Sequence, residues 1–335
     1  MESKKTLTKV LFLFTAVFLL LILGILTSLR IGAVSTDFGL IFQSFFSNEQ
    51  TKEFLIIQNL RLPRTLIAVI IGASLAIAGA IMQAITLNPL ASPQIFGVNA
   101  GASLVVVLSL VFLPSISPSS LVYFAFLGAI LGGSIVYSMA SSSTGTSPVK
   151  LALAGITVHL FLSAIIEGIV LFHEDSTQSV LFWLAWAIDG ATWNEVQLIW
   201  PWATAGIIIS VILARQLTIL GLGDDMAKGL GQNVVVIRLF FSMLVVVLAG
   251  ASVSVAGPIG FIGLIIPHIA RKLIGIDYSL IIPFSGLLGA LLLVTADVLS
   301  RFIAFPSESP VGIVTALIGA PYFLYLARKG GKAHE

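Results

Sequence analysis

Four ionisable side chains stand in or beside long apolar runs: His159, Glu167 and Asp297 at depth, and His268 nearer the end of its run. Charge inside a membrane-spanning run is costly, so each is by default a candidate for function. His159 and Glu167 are eight positions apart, on roughly one helical face. At 1.5 Å rise per residue they stand about 12 Å apart, too far to hand a proton over directly. Hydrogen bonding across helices is the alternative use for such groups. The four histidines form no close pair and there are no cysteines, so no metal site, thiol chemistry or disulfide is expected. No Gly-x-x-x-x-Gly-Lys-Ser/Thr phosphate loop occurs; the sole Gly-Lys, Gly331-Lys332, lies in the tail. No catalytic residue and no cofactor emerge, and any ATP-driven work belongs to another polypeptide.

Two further groups can bind rather than react. Arg61 and Arg64, three apart, share a helical face at the start of an apolar run, and Arg301 closes another. Snorkelling to the interface is one reading, and pairing with carboxylates of a partner is the other. Between runs lies the segment 216–233, the most polar stretch expected inside the cell. There Asp224 and Asp225 suit the first turn of a short helix and Gly231 its stop. Leu222, Met226 and Leu230 at i, i+4, i+8 predict an apolar ridge on one face, with Gly223 and Ala227 between them. A solvated turn would explain the same residues.

What must position these groups is lipid-embedded helix. The 335 residues are 58% hydrophobic and 10% charged, against about 25% charged in soluble proteins. Apolar runs near 10–29, 62–85, 94–113, 120–140, 150–172, 194–214, 234–256, 279–298 and 309–328 can each span a bilayer. A shorter run, 257–270, holds Pro258 and Pro267 and can cross only as a broken helix. Nothing alternates as β-barrel strands do. Residues 30–61 form an outer segment with a short amphipathic helix over 38–46; residues 182–186 predict a second short, aromatic one.

The first apolar run is too long for a cleavable leader and is read as an uncleaved helix. Lys and Arg set the orientation. Arg30, Lys52, Arg61, Arg64 and Arg301 fall outside and the other twelve of the 17 inside. Both termini then lie in the cytoplasm, which needs an even number of crossings and favours ten. Residues 66–99 also resemble 244–277 without a gap. Leu66, Val69, Gly72, Ala73, Ser74, Ala78, Gly79, Ile81, Pro89 and Gly97 all recur 178 positions later. The expectation is an all-α polytopic membrane protein: one membrane domain, about ten transmembrane helices, in two inverted five-helix repeats (about 1–190 and 191–335). The net charge of +2 reflects the bias of the loops and gives no reason to expect nucleic acid.

Arg61-Leu62-Pro63-Arg64 with Gly72, Gly79, Gln83 and Asn88-Pro89-Leu90-Ala91 resembles the permease family that imports ferric siderophores, haem and vitamin B12. So do Gly257-Pro258-Ile259-Gly260-Phe261-Ile262-Gly263-Leu264, the run Pro267-His268-Ile269-Ala270-Arg271, Ala296-Asp297 with Arg301, and Gly319-Ala320-Pro321-Tyr322-Phe323. The resemblance covers about residue 55 to the C-terminus. It implies a multi-pass permease of the bacterial cell membrane and a second permease subunit, identical or paralogous. It also implies two cytoplasmic ATP-binding-cassette subunits and an external substrate-binding protein.

By the same resemblance, Leu222, Gly223, Asp224, Asp225, Met226, Ala227, Leu230 and Gly231 form the ATPase-coupling loop, and Arg61, Arg64 and Arg301 dock the binding protein's glutamates. The cargo implied is a ferric siderophore, with vitamin B12 or haem as alternatives; an ion-coupled secondary transporter is the rival class. One departure stands out: Trp183-Leu184-Ala185-Trp186-Ala187 carries Trp186 where the family often has glycine.

Overall fold

The computed structural model describes residues 2–32, 37–46, 51–113, 115–140, 148–173, 180, 188, 190–303 and 308–331. Among them all regular structure is helical. The expected aromatic helix over 182–186, Trp186 included, lies outside the described residues.

The first half comprises α1 (Glu2–Arg30), α2 (Phe38–Phe46), α3 (Lys52–Ile56), α4 (Leu62–Ile85), α5 (Val98–Phe112), α6 (Pro118–Ala140) and α7 (Pro148–Phe172). A π-turn over Ile57–Arg61 fuses α3 to α4, and Pro63 sits in the first turn of α4, where its missing N–H leaves no bond unmade. The second half comprises α8 (Trp193–Ile212), α9 (Ala214–Leu220), α10 (Asp224–Gly229), α11 (Val234–Ala256), α12 (Ile262–Ile274), α13 (Tyr278–Ile303) and α14 (Val311–Gly331). Among the described residues seven helices are long and apolar enough to cross a membrane; Val98–Phe112 and Val311–Leu324 are shorter apolar helices. Each expected spanning run holds a helix, and two runs differ from expectation in detail. The run 94–113 breaks at Gly97, whose φ of +68° parts a 3-10 turn over Pro93–Phe96 from α5. The run 257–270 begins as buried non-helical chain, and α12 starts only at Ile262.

At the centre α4 is almost wholly buried and packs against α11, α12 and α13. Backbone crosses backbone there. A Cβ on Gly72 would stand 2.3 Å from the Gly289 carbonyl oxygen, and one on Gly79 would stand 1.9 Å from that of Gly263. Small residues permit this approach where lipid supplies no hydrophobic drive between helices. The 178-residue register therefore pairs helix with helix only as far as Ala78 and Ala256. Gly79 continues α4, whereas Gly257 stands just past α11 with φ +69°.

Candidate functional site

Three places gather the chemistry-bearing residues. The first is the α4–α13 end that the charge bias assigns to the outside. Arg64 donates to Asp297 (Nε to Oδ1, 2.8 Å), and also pairs with Glu308. Arg301, one turn beyond Asp297 on α13, pairs with the other carboxylate oxygen. Arg301 further donates to the Ser28 carbonyl (2.8 Å), and Arg61 to the carbonyls of Leu29 (2.7 Å) and Arg30 (2.9 Å). The last carbonyls of a helix have no intrahelical donor; here guanidiniums close the end of α1.

Arg61, Arg64 and Arg301, expected to dock a partner's glutamates, are only 6%, 7% and 6% exposed. Each is bonded within the chain. Asp297 takes the cross-helix alternative: it is fully buried and joins α4 to α13.

The second place is the expected coupling segment. Asp224 and Asp225 do open α10, and Gly231 (φ +84°) ends it: Gly231 N–H reaches the Lys228 carbonyl and Gln232 N–H that of Ala227, a Schellman closure. One feature is corrected. The helix spans only Asp224–Gly229, and Gly223 at φ +99° turns the chain before it. Leu222 and Leu230 thus flank the helix instead of sharing its face with Met226. All three are nevertheless well exposed, at 55%, 59% and 59%, while Ala227 is buried beneath them.

The segment is tethered. Arg238 on α11, nearly buried, pairs with Asp224 (2.8 Å) and donates to the Ile85 carbonyl at the end of α4 (3.0 Å). Sequence reading missed this role, since Arg238 looked like one more cytoplasmic charge. Thr218 donates to Asp277 (2.9 Å) and accepts from Tyr278 N–H (2.9 Å), tying α9 to α13. Burial alone would raise the Asp277 carboxyl. The Ser279 backbone N–H, the Thr218 hydroxyl and nearby Arg215 outweigh it and hold the group below its ordinary value.

The third place is a cavity of about 680 Å³ between α5, α7 and the chain entering α12. His159 and Glu167, eight positions apart, line it together, facing Gln94, Asn99 and Phe261. His268 does not belong to it; its ring lies against Tyr322 instead. Phe261 went unremarked in the sequence beyond its motif. Its backbone takes a left-handed φ of +67°, strained for a bulky residue, and its ring occupies the space that Gly319 of α14 leaves open. No group of three or more metal-ligating side chains occurs among the described residues.

The chain as a whole has relatives of known lineage. Residues 20–329 match the FecCD transport family. The chain belongs to that family. It is 56% identical over 331 residues to the Fe(3+)-citrate import system permease protein YfmD of Bacillus subtilis, covering 98% of both chains. To the iron(3+)-hydroxamate import system permease protein FhuB of the same organism it is 46% identical, over 92% of this chain and 81% of that one. The solved structure of a metal-chelate type ABC transporter in an inward-facing conformation superposes with a TM-score of 0.83 at 30% identity, covering 96% of this chain and 99% of the other. The glycine crossings at α4 and the cavity beside α7 are thus features of a FecCD-family chain.

Proposed function

We propose that this FecCD-family chain is the membrane permease subunit of an ATP-binding-cassette importer that translocates a ferric siderophore. The observation that carries the reading is the end-to-end match to permease proteins of iron import systems. The geometry supports it. A short helix with exposed apolar residues stands at one end of the bundle, suited to an ATPase groove, and a largely apolar cavity with a few polar side chains lies within. In this reading ten helices cross in two inverted halves, with both termini in the cytoplasm. A second permease subunit completes the pathway. Two ATPase subunits grip α10 and its flanks, and closing them on ATP swings the paired permeases between outward- and inward-open states.

Docking of a binding protein takes an amended form. The arginines are already paired, but Glu308 is 35% exposed and its partner Arg64 reaches the edge of the cluster. A carboxylate of the binding protein takes the place of Glu308 on Arg64, a bidentate-capable partner.

The test is uptake into proteoliposomes holding the permease pair, the ATPase and the binding protein, with labelled ferric siderophore, haem and cobalamin compared. ATP-dependent accumulation of iron supports the reading. Accumulation of cobalamin or haem alone corrects the cargo, and gradient-driven uptake without ATP overturns it.

A further inference from the structure

Glu167 and His159 are both exposed on α7, a helix long and apolar enough to span the bilayer. A carboxylate turned to lipid costs about 2.5–3.5 kcal/mol on insertion scales, so this face of α7 needs water, a ligand or the second permease subunit in front of it. The cavity supplies that space, and its volume falls within the range of about 300–1,000 Å³ typical of ligand sites.

Its walls have a definite chemistry. Glu167 has no ion-pair partner among the described residues. On the same cavity, Asn99 of α5, only 4% exposed, leaves its Oδ1 with no hydrogen-bond partner. An ionised carboxylate only accepts hydrogen bonds, and so does an amide oxygen. Among the described residues no lysine or arginine lines the space. Hydroxyls, amides and the His159 ring also line the space, but the one charged group is a carboxylate, which accepts from donors and repels net negative charge.

We propose that this cavity is a cargo station selective for ferric hydroxamates, neutral or bearing an ammonium, over polyanionic carboxylate or catecholate chelates. Each hydroxamate contributes one negative charge, so a hexadentate set balances Fe(III). The amide N–H groups or ammonium of the backbone then remain free to donate. Carboxylate and catecholate chelates leave excess negative charge beside Glu167. Named relatives divide between citrate and hydroxamate import, and the lining of this chain sides with the second. Glu167 meets the charged or donor-rich end of the cargo. Asn99 accepts from its flank, and His159, about 12 Å further along α7, bounds the station.

The inference rests on the importer reading, and the experiment separates the two. The reconstituted full transporter is given ferric desferrioxamine B, which carries an ammonium, or ferric citrate, each at a concentration saturating the binding protein. Wild type is compared with Glu167→Gln and Glu167→Lys. The hydroxamate should enter about tenfold faster in wild type, Glu167→Gln should erode the preference, and Glu167→Lys should reverse it. Wild-type preference for ferric citrate would overturn the proposal. So would an uptake ratio unmoved by both substitutions in variants that fold and hydrolyse ATP normally. Failure of both chelates to accumulate with ATP defeats the importer reading beneath it, a distinct result.

Discussion

Asp297 holds two guanidiniums on one carboxylate with no exposure of its own. Removing one side of a buried ionic set is costly because the remaining charges stay buried and uncompensated. Asp297→Asn should therefore destabilise the chain by about 3–5 kcal/mol, seen as an earlier thermal unfolding midpoint of the detergent-solubilised protein. Glu308→Ala removes a half-exposed edge contact and leaves Arg64 paired with Asp297, so the loss should stay within about 1 kcal/mol. That variant should unfold near the wild-type temperature while capturing the binding protein more tightly. A wild-type midpoint for Asp297→Asn would sink the brace, and weaker capture by Glu308→Ala would sink the exchange on Arg64. Arg64→Glu is a poor probe of docking because it sets a second carboxylate against Asp297. The sequence marked Arg64, Arg301 and Asp297 as chemically notable. Their partnership was invisible because 233 positions separate Arg64 from Asp297, and a line of residues carries no record of who lies beside whom.

Elements were easier to foresee than partners. The runs 62–85 and 234–256 coincide with α4 and α11 because nothing in lipid tolerates unbonded backbone, so the length of an apolar run dictates the length of a helix. Turn chemistry was equally legible at α10, where paired aspartates and a glycine mark the two ends. The apolar ridge over Leu222, Met226 and Leu230 failed as a single face because Gly223 turns the chain at φ +99°, a conformation that periodicity does not encode. Met226 alone of the three lies within the helix, and it is 59% exposed. Met226→Asp should weaken ATPase capture at least about tenfold, or ~1.4 kcal/mol, without lowering the unfolding temperature of the isolated permease. ATPase co-purification measures the first and thermal unfolding the second. Undiminished capture would remove α10 from the coupling surface.

At the scale of the molecule, the open question is whether residues 257–274 cross the membrane. α12 has 13 residues, giving about 20 Å of helix against a hydrocarbon core of about 30 Å. Five residues of non-helical chain, 257–261, precede it, and in extended form they add up to about 16 Å. Non-helical backbone survives at membrane depth only when buried in protein or lining a cavity. Gly257, Ile259 and Gly260 are buried, and Pro258, Gly260 and Phe261 line the cavity beside α7. The broken segment therefore meets the conditions for a full crossing. The absence of cysteine makes this directly testable, since any introduced thiol is the only one present. Glu53 and Ile276, both exposed, stand on either side of seven proposed crossings if 257–274 is one of them, and six if it is not. A membrane-impermeant maleimide added to intact cells should label Glu53→Cys and spare Ile276→Cys until the cells are opened. Labelling of both from outside would leave the segment on one side of the membrane and remove the tenth crossing. The opposite pattern, Ile276→Cys labelled and Glu53→Cys spared, would keep the crossing and invert the whole permease.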